Sequence, residues 1–445
     1  MTAMNYKLMN PLRFKDSKLW DYSSYFKKST NHNYRFPTIK LKEVITLKRG
    51  LITIDDEVDY KRCRVQLYAK GIQLRDVAKG IEIKTKKQQV CKPNDFLVAE
   101  IDAKMGGYGI VPEYLEGAIV SNHYFLYKIN EEKLSPLFLE LYIKTNAFFQ
   151  QVKAVGSTNY AAIRPSHVLE YDIVLPNISI QNQLINQYNQ KLNQAQNTEN
   201  QANELEKGIE IYFFTELGIE VSVQTNMLAG LQIVRFKDTK KWGVDNSKIK
   251  WNVKPQYPQY TIGTVCKISS GGTPSRGNPK YYNNGDIPWV KTGELNNDMI
   301  FSVEENITIE GLKNSSAKLY PVGSLIVAMY GATAGQTAKL GIEAATNQAC
   351  AVLFDIKNEI ILSDYLWVYL QNQVEILKSL AQGSAQPNLN AGMISNFVIQ
   401  IPKLDKQKQM VDYFFKTKEQ IKTLRQQAEA LRKQAKEEFE QGIFI

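Results

Sequence analysis

This chain of 445 residues is an imperfect direct repeat of itself, which narrows the folds open to it more than any other feature. Arg13-Phe14-Lys15-Asp16-Ser17-Lys18-Leu19-Trp20 returns as Arg235-Phe236-Lys237-Asp238-Thr239-Lys240-Lys241-Trp242. Gly156-Ser157-Thr158-Asn159 returns as Gly383-Ser384-Ala385-Gln386, and Ile173-Val174-Leu175-Pro176 as Val398-Ile399-Gln400-Ile401-Pro402. In both copies a glutamine, Gln181 or Gln407, follows the proline by five residues and opens a long helical pattern. The offsets are 222 residues (13 to 235), 227 (156 to 383) and 226 (176 to 402). A near-constant offset over separate landmarks marks duplication of a whole unit. Two similar but unequal units suit a target that is itself read at two places, and a nucleic-acid duplex fits that description.

Each half is long enough, at 43% hydrophobic residues overall, to bury a core of its own. The net charge of +10 fits plain solubility, and it equally fits an acidic polymer as partner, since Lys and Arg gain affinity by releasing counterions from phosphates. Cys63, Cys91, Cys266 and Cys350 form no CxxC, and there are three histidines, so the spacing argues against a structural zinc site. So few cysteines fit a reducing compartment. The start, MTAMNYKLMNPLRFKD, lacks a charged-then-apolar signal pattern. The most apolar stretch, 322–351, is interrupted by Gly331, Gly335, Gln336 and Lys339 and is not a membrane span. The expectation is a soluble cytoplasmic protein.

Each unit reads as a mixed α/β domain followed by a long helix. In the first, strands are expected at Thr38–Leu41, Leu51–Ile54, Ile81–Lys84, Asp95–Ala99 and Tyr171–Leu175, with one helix from Ser135-Pro136 to about Val155. In the second, strands are expected at Thr261–Val265, Ser324–Met329 and Phe397–Ile401, with a helix from about Ser363. The long helices carry apolar or small residues stepping alternately by three and four: Ala195, Thr198, Ala202, Leu205, Ile209 and Tyr212 in one, and Phe414, Thr417, Ile421, Leu424, Ala428, Leu431 and Ala435 in the other. That is a coiled-coil seam. Two matching seams in one chain predict that the helices pair with each other. A helix of 35 to 40 residues is about 55 Å long, a spacer rather than a core element.

The second unit holds a distinctive run, Ser270-Gly271-Gly272-Thr273-Pro274-Ser275-Arg276, then Tyr281-Tyr282, then Gly285-Asp286-Ile287-Pro288-Trp289-Val290-Lys291-Thr292-Gly293-Glu294-Leu295. Gly-Gly lets a backbone approach a partner closely; the aromatic residues are placed to stack or to pack. It is not a P-loop, since GK[ST] is absent. The run resembles the target-recognition domain motif of specificity subunits in type I restriction–modification systems. The order of the whole chain, domain, helix, domain, helix, is similar to that family's plan, and Ile399 to Gln407 and Ile173 to Gln181 resemble its entry into the helices. The first domain departs from the motif: Lys48-Arg49-Gly50-Leu51-Ile52-Thr53 stands where GGTPSR is expected. The resemblance implies an α+β fold class with two target-recognition domains, 1–175 and 219–400. It also implies two long antiparallel helices, 176–218 and 401–445, and a pseudo-two-fold internal repeat.

It further implies a subunit without catalysis or cofactor of its own. In this family the helices hold two modification (methyltransferase) subunits, which use S-adenosylmethionine to methylate adenine. Translocase–nuclease (restriction) subunits join where a restricting complex forms. The residues agree: no NPPY-like or FxGxG motif occurs, and the ExK triplets Glu82-Ile83-Lys84 and Glu131-Glu132-Lys133 lack a preceding PD.

Bases are distinguished in the major groove by Arg or Lys on guanine and Asn or Gln on adenine, while phosphate contacts position the protein. The candidates for double-stranded DNA are Arg49, Arg62, Arg64, Lys84, Lys86, Lys104, Asn122, Asn159, Tyr160 and Arg164 in the first unit. In the second they are Thr273, Ser275, Arg276, Lys291, Tyr330, Gln336, Asn347, Gln386 and Asn388. Each basic one is also readable as solvated surface charge. If the helices pair antiparallel, two unlike domains face an asymmetric, bipartite site across a gap of fixed length. A coiled-coil adaptor with two protein-binding heads is the rival from another class, and a nucleic-acid-modifying enzyme a second.

Overall fold

The structure, a computed structural model, describes residues 34–153, 162–223, 249–379 and 388–444. The Arg13–Trp20 and Arg235–Trp242 repeats and the two Gly-Ser loops lie outside these residues, and with them the candidates Asn159, Tyr160 and Gln386. The chain forms two compact units, one from residues up to Asn197 together with those from Gln427 onward, the other from Thr198–Gln426.

In the first unit the strands are β1 (Thr38–Lys40), β2 (Ile45–Leu47), β3 (Ile52–Thr53), β4 (Asp59–Gln66), β5 (Gly71–Lys79), β6 (Lys87–Val90), β7 (Phe96–Ala99), β8 (Tyr108–Ile110), β9 (Ile119–Val120), β10 (Tyr124–Ile129) and β11 (Asp172–Val174). The helices are α1 (Pro136–Tyr142), α2 (Asn146–Lys153), α3 (Pro165–Leu169) and the first half of α4 (Ile178–Glu216). One sheet has the order β2-β10-β7-β8, a second β3-β6-β9-β4-β5, and β1 pairs with β11. All four residues of β7 are buried, as a continuous apolar run in a central strand requires. Around it Phe96, Tyr108, Tyr127, Phe138, Tyr142 and Phe148 form a chain of ring contacts at 5.3 to 6.5 Å.

The second unit contains the rest of α4, then β12 (Ile219–Val223), β13 (Ile249–Val253), β14 (Gln259–Thr261), α5 (Ile262–Val265), β15 (Lys267–Ser270), β16 (Ile287–Val290), β17 (Met299–Ile300), β18 (Asn306–Ile307), α6 (Ile309–Lys313), β19 (Leu325–Ala328), β20 (Thr337–Leu340), β21 (Ala345–Thr346), β22 (Cys350–Phe354), α7 (Ser363–Asn372), α8 (Val374–Ser379), α9 (Ala391–Ser395), β23 (Val398–Gln400) and most of α10 (Leu404–Ile443). Its main sheet runs β15-β22-β19-β20-β17, beside β18-β16-β21, β12-β13 and β14-β23.

The repeat is physical as well as textual. The sheet order β2-β10-β7-β8 recurs as β15-β22-β19-β20, and the closing pair β1-β11 recurs as β14-β23. The two helix-opening glutamines do the same work in each copy. Gln181 is fully buried; its amide donates to the carbonyls of Lys133 and Pro176, each at 2.8 Å, and its oxygen accepts from Ser135 N–H at 2.8 Å. Gln407 donates to Ile360 (3.0 Å) and Pro402 (2.8 Å) and accepts from Leu362 N–H at 2.8 Å. Each glutamine thus fastens the first turn of its long helix to the segment leading into α1 or α7.

The long helices are continuous over 39 and 40 residues and run antiparallel in each unit. In the first, Lys191 bridges Glu438 at 3.3 Å and Tyr188 meets Phe439, while Leu184 lies against Gly442. In the second, Arg425 bridges Glu206 at 2.7 Å, Tyr212 meets Tyr413, and Lys406 bridges Glu216 at 2.8 Å. Of the seam positions, Ala195, Ala202, Ile209, Phe414, Ile421 and Ala428 are buried, and Leu205, Tyr212, Leu424 and Leu431 are half-buried.

Three local expectations are corrected. Ile81–Lys84 is not a strand: Gly80–Glu82 is a 3₁₀ turn whose Gly80 lies so close to the Asp55 carbonyl that a Cβ there would stand 1.8 Å from it. Thr261–Val265 is strand only to Thr261; Ile262–Val265 is a helical turn that buries Ile262 and Val265 together. The helix expected from Ser135 to about Val155 is two. Thr145 interrupts it: its hydroxyl donates to the Tyr142 carbonyl at 2.7 Å, and side-chain bonding of this kind competes with helix continuation. Among the described residues no helix is long and apolar enough to cross a membrane, and no group of three or more His, Cys, Asp or Glu gathers as metal ligands would.

Candidate nucleic-acid interface

In both units the loops converge on one edge of the main sheet. In the first unit β2 ends there, β7 ends there, β10 begins there and α3 begins there. Glu100, just past β7, ties them together: its N–H donates to the His123 carbonyl at 2.8 Å and its carbonyl accepts from Ile163 N–H at 2.9 Å. The second unit repeats both bonds at Met329, whose N–H donates to Ala349 and whose carbonyl accepts from Leu389 N–H, each at 2.8 Å. Such bonds satisfy buried backbone and fix where the loops emerge.

In the first unit this edge bears a cleft of about 500 Å³ lined by Lys48, Arg49, Gly50, Leu51, Gln89, Asn122, Tyr124, Phe125 and Pro165. The structure therefore brings together three candidates far apart in sequence: Arg49 and Asn122, both exposed, line the cleft, and Arg164, also exposed, caps α3 beside Pro165. Sequence reasoning missed Gln89, whose amide donates to the carbonyls of Tyr124 (2.7 Å) and Ser121 (3.3 Å) and so holds the turn that presents Asn122. It also missed Lys48, which bridges the buried Asp95 at 2.5 Å. Tyr124 is half-buried, and burial raises its phenol above the ordinary value.

The other basic candidates divide by what lies opposite them. Arg62 is engaged bidentately by Asp76 at 2.6 and 2.8 Å; the bond holds the guanidinium above its ordinary pKa and the carboxyl below its own. Lys86 is held by Asp56 and by the Gly80 carbonyl at 2.8 Å, and Lys84 is exposed beside the 3₁₀ turn Gly80–Glu82. Lys104 is buried in the 3₁₀ turn Asp102–Met105, which corrects its assignment as a surface contact: the chain folds its stem inward, and nothing in the neighbouring residue types signals that. Arg64 is exposed, and with the Gln73 amide oxygen turned toward it the guanidinium donates at 2.7 and 2.8 Å.

In the second unit the GGTPSR run packs on its own domain. A Cβ on Gly271 would stand 2.2 Å from the Asn347 carbonyl oxygen, and one on Gly272 would stand 2.1 Å from Ala317 N. The glycines thus admit neighbouring backbone rather than an outside partner. Trp289 N–H donates to the Gly272 carbonyl at 3.0 Å and Tyr282 O–H to Pro274 at 2.5 Å. Arg276 lies over both rings, 4.4 Å from Tyr282 and 4.9 Å from Trp289, and pairs with Glu305; that bond depresses the Glu305 carboxyl. Lys291 pairs with Glu304 at 3.0 Å. What stands at the loop edge is polar and mostly amide: Thr273, Asn347, Gln348, Tyr330 and Asn388; Ser275, two residues beyond Thr273, is exposed. Thr273 Oγ1 accepts from Gln348 N–H at 3.4 Å, and Asn347 Oδ1 from Ala349 N–H at 3.2 Å. Gln336 is half-buried, its N–H donating to Thr333. Gln348 was missed, although it sits 226 residues beyond Asn122.

Against this geometry stands one sequence comparison of direct weight. The family model described as "Type I restriction modification DNA specificity domain" matches residues 256–433. The chain is similar to the EcoR124I/EcoR124II specificity subunit of Escherichia coli, 24% identical over 247 residues, 52% of this chain and 57% of that one. It thus spans little more than half the length of that relative. It is also 22% identical over 379 residues to the HindI specificity subunit of Haemophilus influenzae, covering 74% of this chain, more than either unit alone holds, and 82% of that one. Among solved structures, a chain from work on complex assembly and conformational transition of the type I R-M system aligns over 92% of this chain and 98% of its own. The TM-score is 0.60 at 17% identity, which bears on the fold alone.

Proposed function

We propose that this chain reads DNA sequence for a type I restriction–modification complex. The observation that carries the reading is the recurrence of one loop-bearing edge on a shared frame, furnished with different side chains in each unit. Two such edges serve an asymmetric, bipartite duplex site, each reading one part of it. Arg49, Asn122 and Arg164 are the readers of the first part, with guanidinium groups suited to guanine and the amide to adenine. Thr273, Gln348 and Asn388 serve the second, where amides dominate. Arg62, Lys86, Arg276 and Lys291, each engaged by a carboxylate, stabilise their loops instead.

The paired helices act as a spacer of about 60 Å at 1.5 Å per residue. Their exposed glutamine- and asparagine-rich faces dock two modification subunits, which bring S-adenosylmethionine and the methyl-transfer chemistry, and restriction subunits where these are present. The chain itself supplies recognition and no reaction, and it works in the cytoplasm, where its target DNA is.

The test is to express the chain with type I modification subunits in cells free of other adenine methylation and to map N6-methyladenine. A single non-palindromic motif with two defined parts and a gap of constant length is expected. Inserting one helical turn of residues into α4 and into α10 should change that gap. A contiguous or palindromic motif overturns the bipartite reading, and no methylation dependent on this chain overturns the function.

A further inference from the structure

The first unit carries an element that its counterpart lacks, and it ends at the same edge. Strands β4 and β5 form a long hairpin, paired from Asp59↔Lys79 to Gln66↔Gly71. Its tip, Leu67–Lys70, is fastened where the loops converge. Tyr68 N–H donates to the Met105 carbonyl at 2.7 Å and Ala69 N–H to Gly106 at 2.8 Å. Gly106 admits this contact because it has no side chain; a Cβ there would stand 2.7 Å from Ala69 N. In the matching interval of the second unit, 271–324, all of it described, the chain builds the short β16, β17 and β18 and the turn α6 instead.

Two properties of the tip call for a partner. First, it exposes large apolar side chains: Tyr68 is 63% exposed, Leu67 40% and the adjacent Met105 42%. Tyr68 and Ala69 also hold φ of +62° and +52°, a left-handed conformation that glycine or asparagine adopts more readily. An exposed ring kept on a backbone that disfavours it is placed there for contact rather than for the fold. Second, the hairpin is strongly basic toward its tip. From Tyr60 to Arg75 the sequence has Lys61, Arg62, Arg64, Lys70 and Arg75 and no Asp or Glu; the next residue, Asp76, is engaged bidentately by Arg62 and reaches Arg75 only at 3.5 Å, leaving that side chain 59% exposed. An apolar tip on a cationic two-stranded ribbon is complementary to a duplex groove. The ribbon fits the major groove in width and phosphates flank it; the groove floor presents base edges, and an apolar side chain reaches a base face by parting a step.

We propose that the β4–β5 hairpin is the groove-entering element of the first unit, with Leu67 and Tyr68 pressed against a base step and Arg64, Lys70 and Arg75 on the flanking phosphates. This rests on the duplex-reading function proposed above and assigns the first half-site a mode of contact that the second half-site does not share. The hairpin predicts local unstacking in one half of the target only.

The experiment uses the full chain in complex with its modification subunits and a duplex carrying the mapped motif. Tyr68→Asn removes the ring while suiting the backbone, so the fold is kept; Leu67→Ser is the second variant. Tyr68→Asn should weaken specific binding by roughly ten-fold, in line with loss of one stacking contact, and leave binding to an unrelated duplex within about three-fold. 2-Aminopurine scanned through the motif should brighten at one step of the first half-site with the wild-type complex and stay dark with Tyr68→Asn. Lys70→Gln and Arg75→Gln should each lower the salt slope by about one. If the wild type binds its motif specifically, yet Tyr68→Asn binds equally well and no aminopurine step responds, the wedge is refuted and the reading beneath it stands. If the wild-type complex binds no duplex with preference, both fall.

Discussion

The two units share a frame and differ in what they mount on it. Both have the same four-strand order, the same closing strand pair and the same glutamine clamp at the helix entry. Between the first and the central strand of that sheet, however, one builds a basic hairpin sheet and the other a tightly packed glycine–tryptophan loop. The frame depends on buried, fully bonded groups, so change there costs stability. The inserts end at an exposed edge, where a side chain is free to change without disturbing the frame. Duplicated units diverge at their loops because that is where divergence is cheap.

The comparison can be broken first at the glycines. Gly272→Val should cost several kcal/mol, since its Cβ would meet Ala317 N at 2.1 Å. Gly50→Val, in the corresponding loop of the first unit and with nothing within 4 Å of its Cβ, should change the urea midpoint little. Equal effects would show that the two loops are built alike after all. Next come the clamps. Gln181→Ala and Gln407→Ala each strip three bonds from buried backbone and should each cost about 3 kcal/mol by the same denaturation assay. A marked inequality between them would mean that the frame is shared in shape but not in energy.

Smaller effects sharpen the contrast between the edges. Arg49→Ala or Asn122→Ala should relax discrimination in one half of the motif by about 1–3 kcal/mol per contact, and Gln348→Ala in the other half alone, read by methylation of single-base variants. A variant that relaxed both halves would undo the assignment of one edge to each. The smallest effect is electrostatic. The Arg276 guanidinium holds the Glu305 carboxyl below its usual value, so the pair's stabilisation is complete above about pH 4.3 and is lost as pH falls through the depressed value. Glu305→Gln should cost up to about 1 kcal/mol at pH 7 and remove that acid-side dependence, followed by melting between pH 3 and 7, roughly the range over which a carboxylate titrates.

Much of this was legible in the residues. The seam from Phe414 to Ala435 announced its helix because period and burial are both local, and Leu325–Ala328 announced a central strand as an unbroken apolar run. The β4–β5 hairpin was not legible. Its buried positions on β4, Cys63 and Val65, alternate with Arg62, Arg64 and Gln66 over only part of the eight-residue strand, and its turn carries Tyr68-Ala69 where Asn-Gly would signal one. The site was half legible: Arg49, Asn122 and Arg164 were named singly, but nothing local joined them.

The duplication, the two paired helices and the mixed domains follow from the sequence alone, because spacing and periodicity are written in consecutive residues. Which charges remain available to a partner was decided only by tertiary structure. Arg62 meets Asp76 across a hairpin, Lys86 meets Asp56 and Arg276 meets Glu305, pairs separated by 14, 30 and 29 positions. So too was the gathering of loops at one edge, which hangs on backbone bonds from Glu100 and Met329 to segments far along the chain. An ion pair or a long-range hydrogen bond depends on who stands opposite, and that partner is fixed only when the sheets have closed.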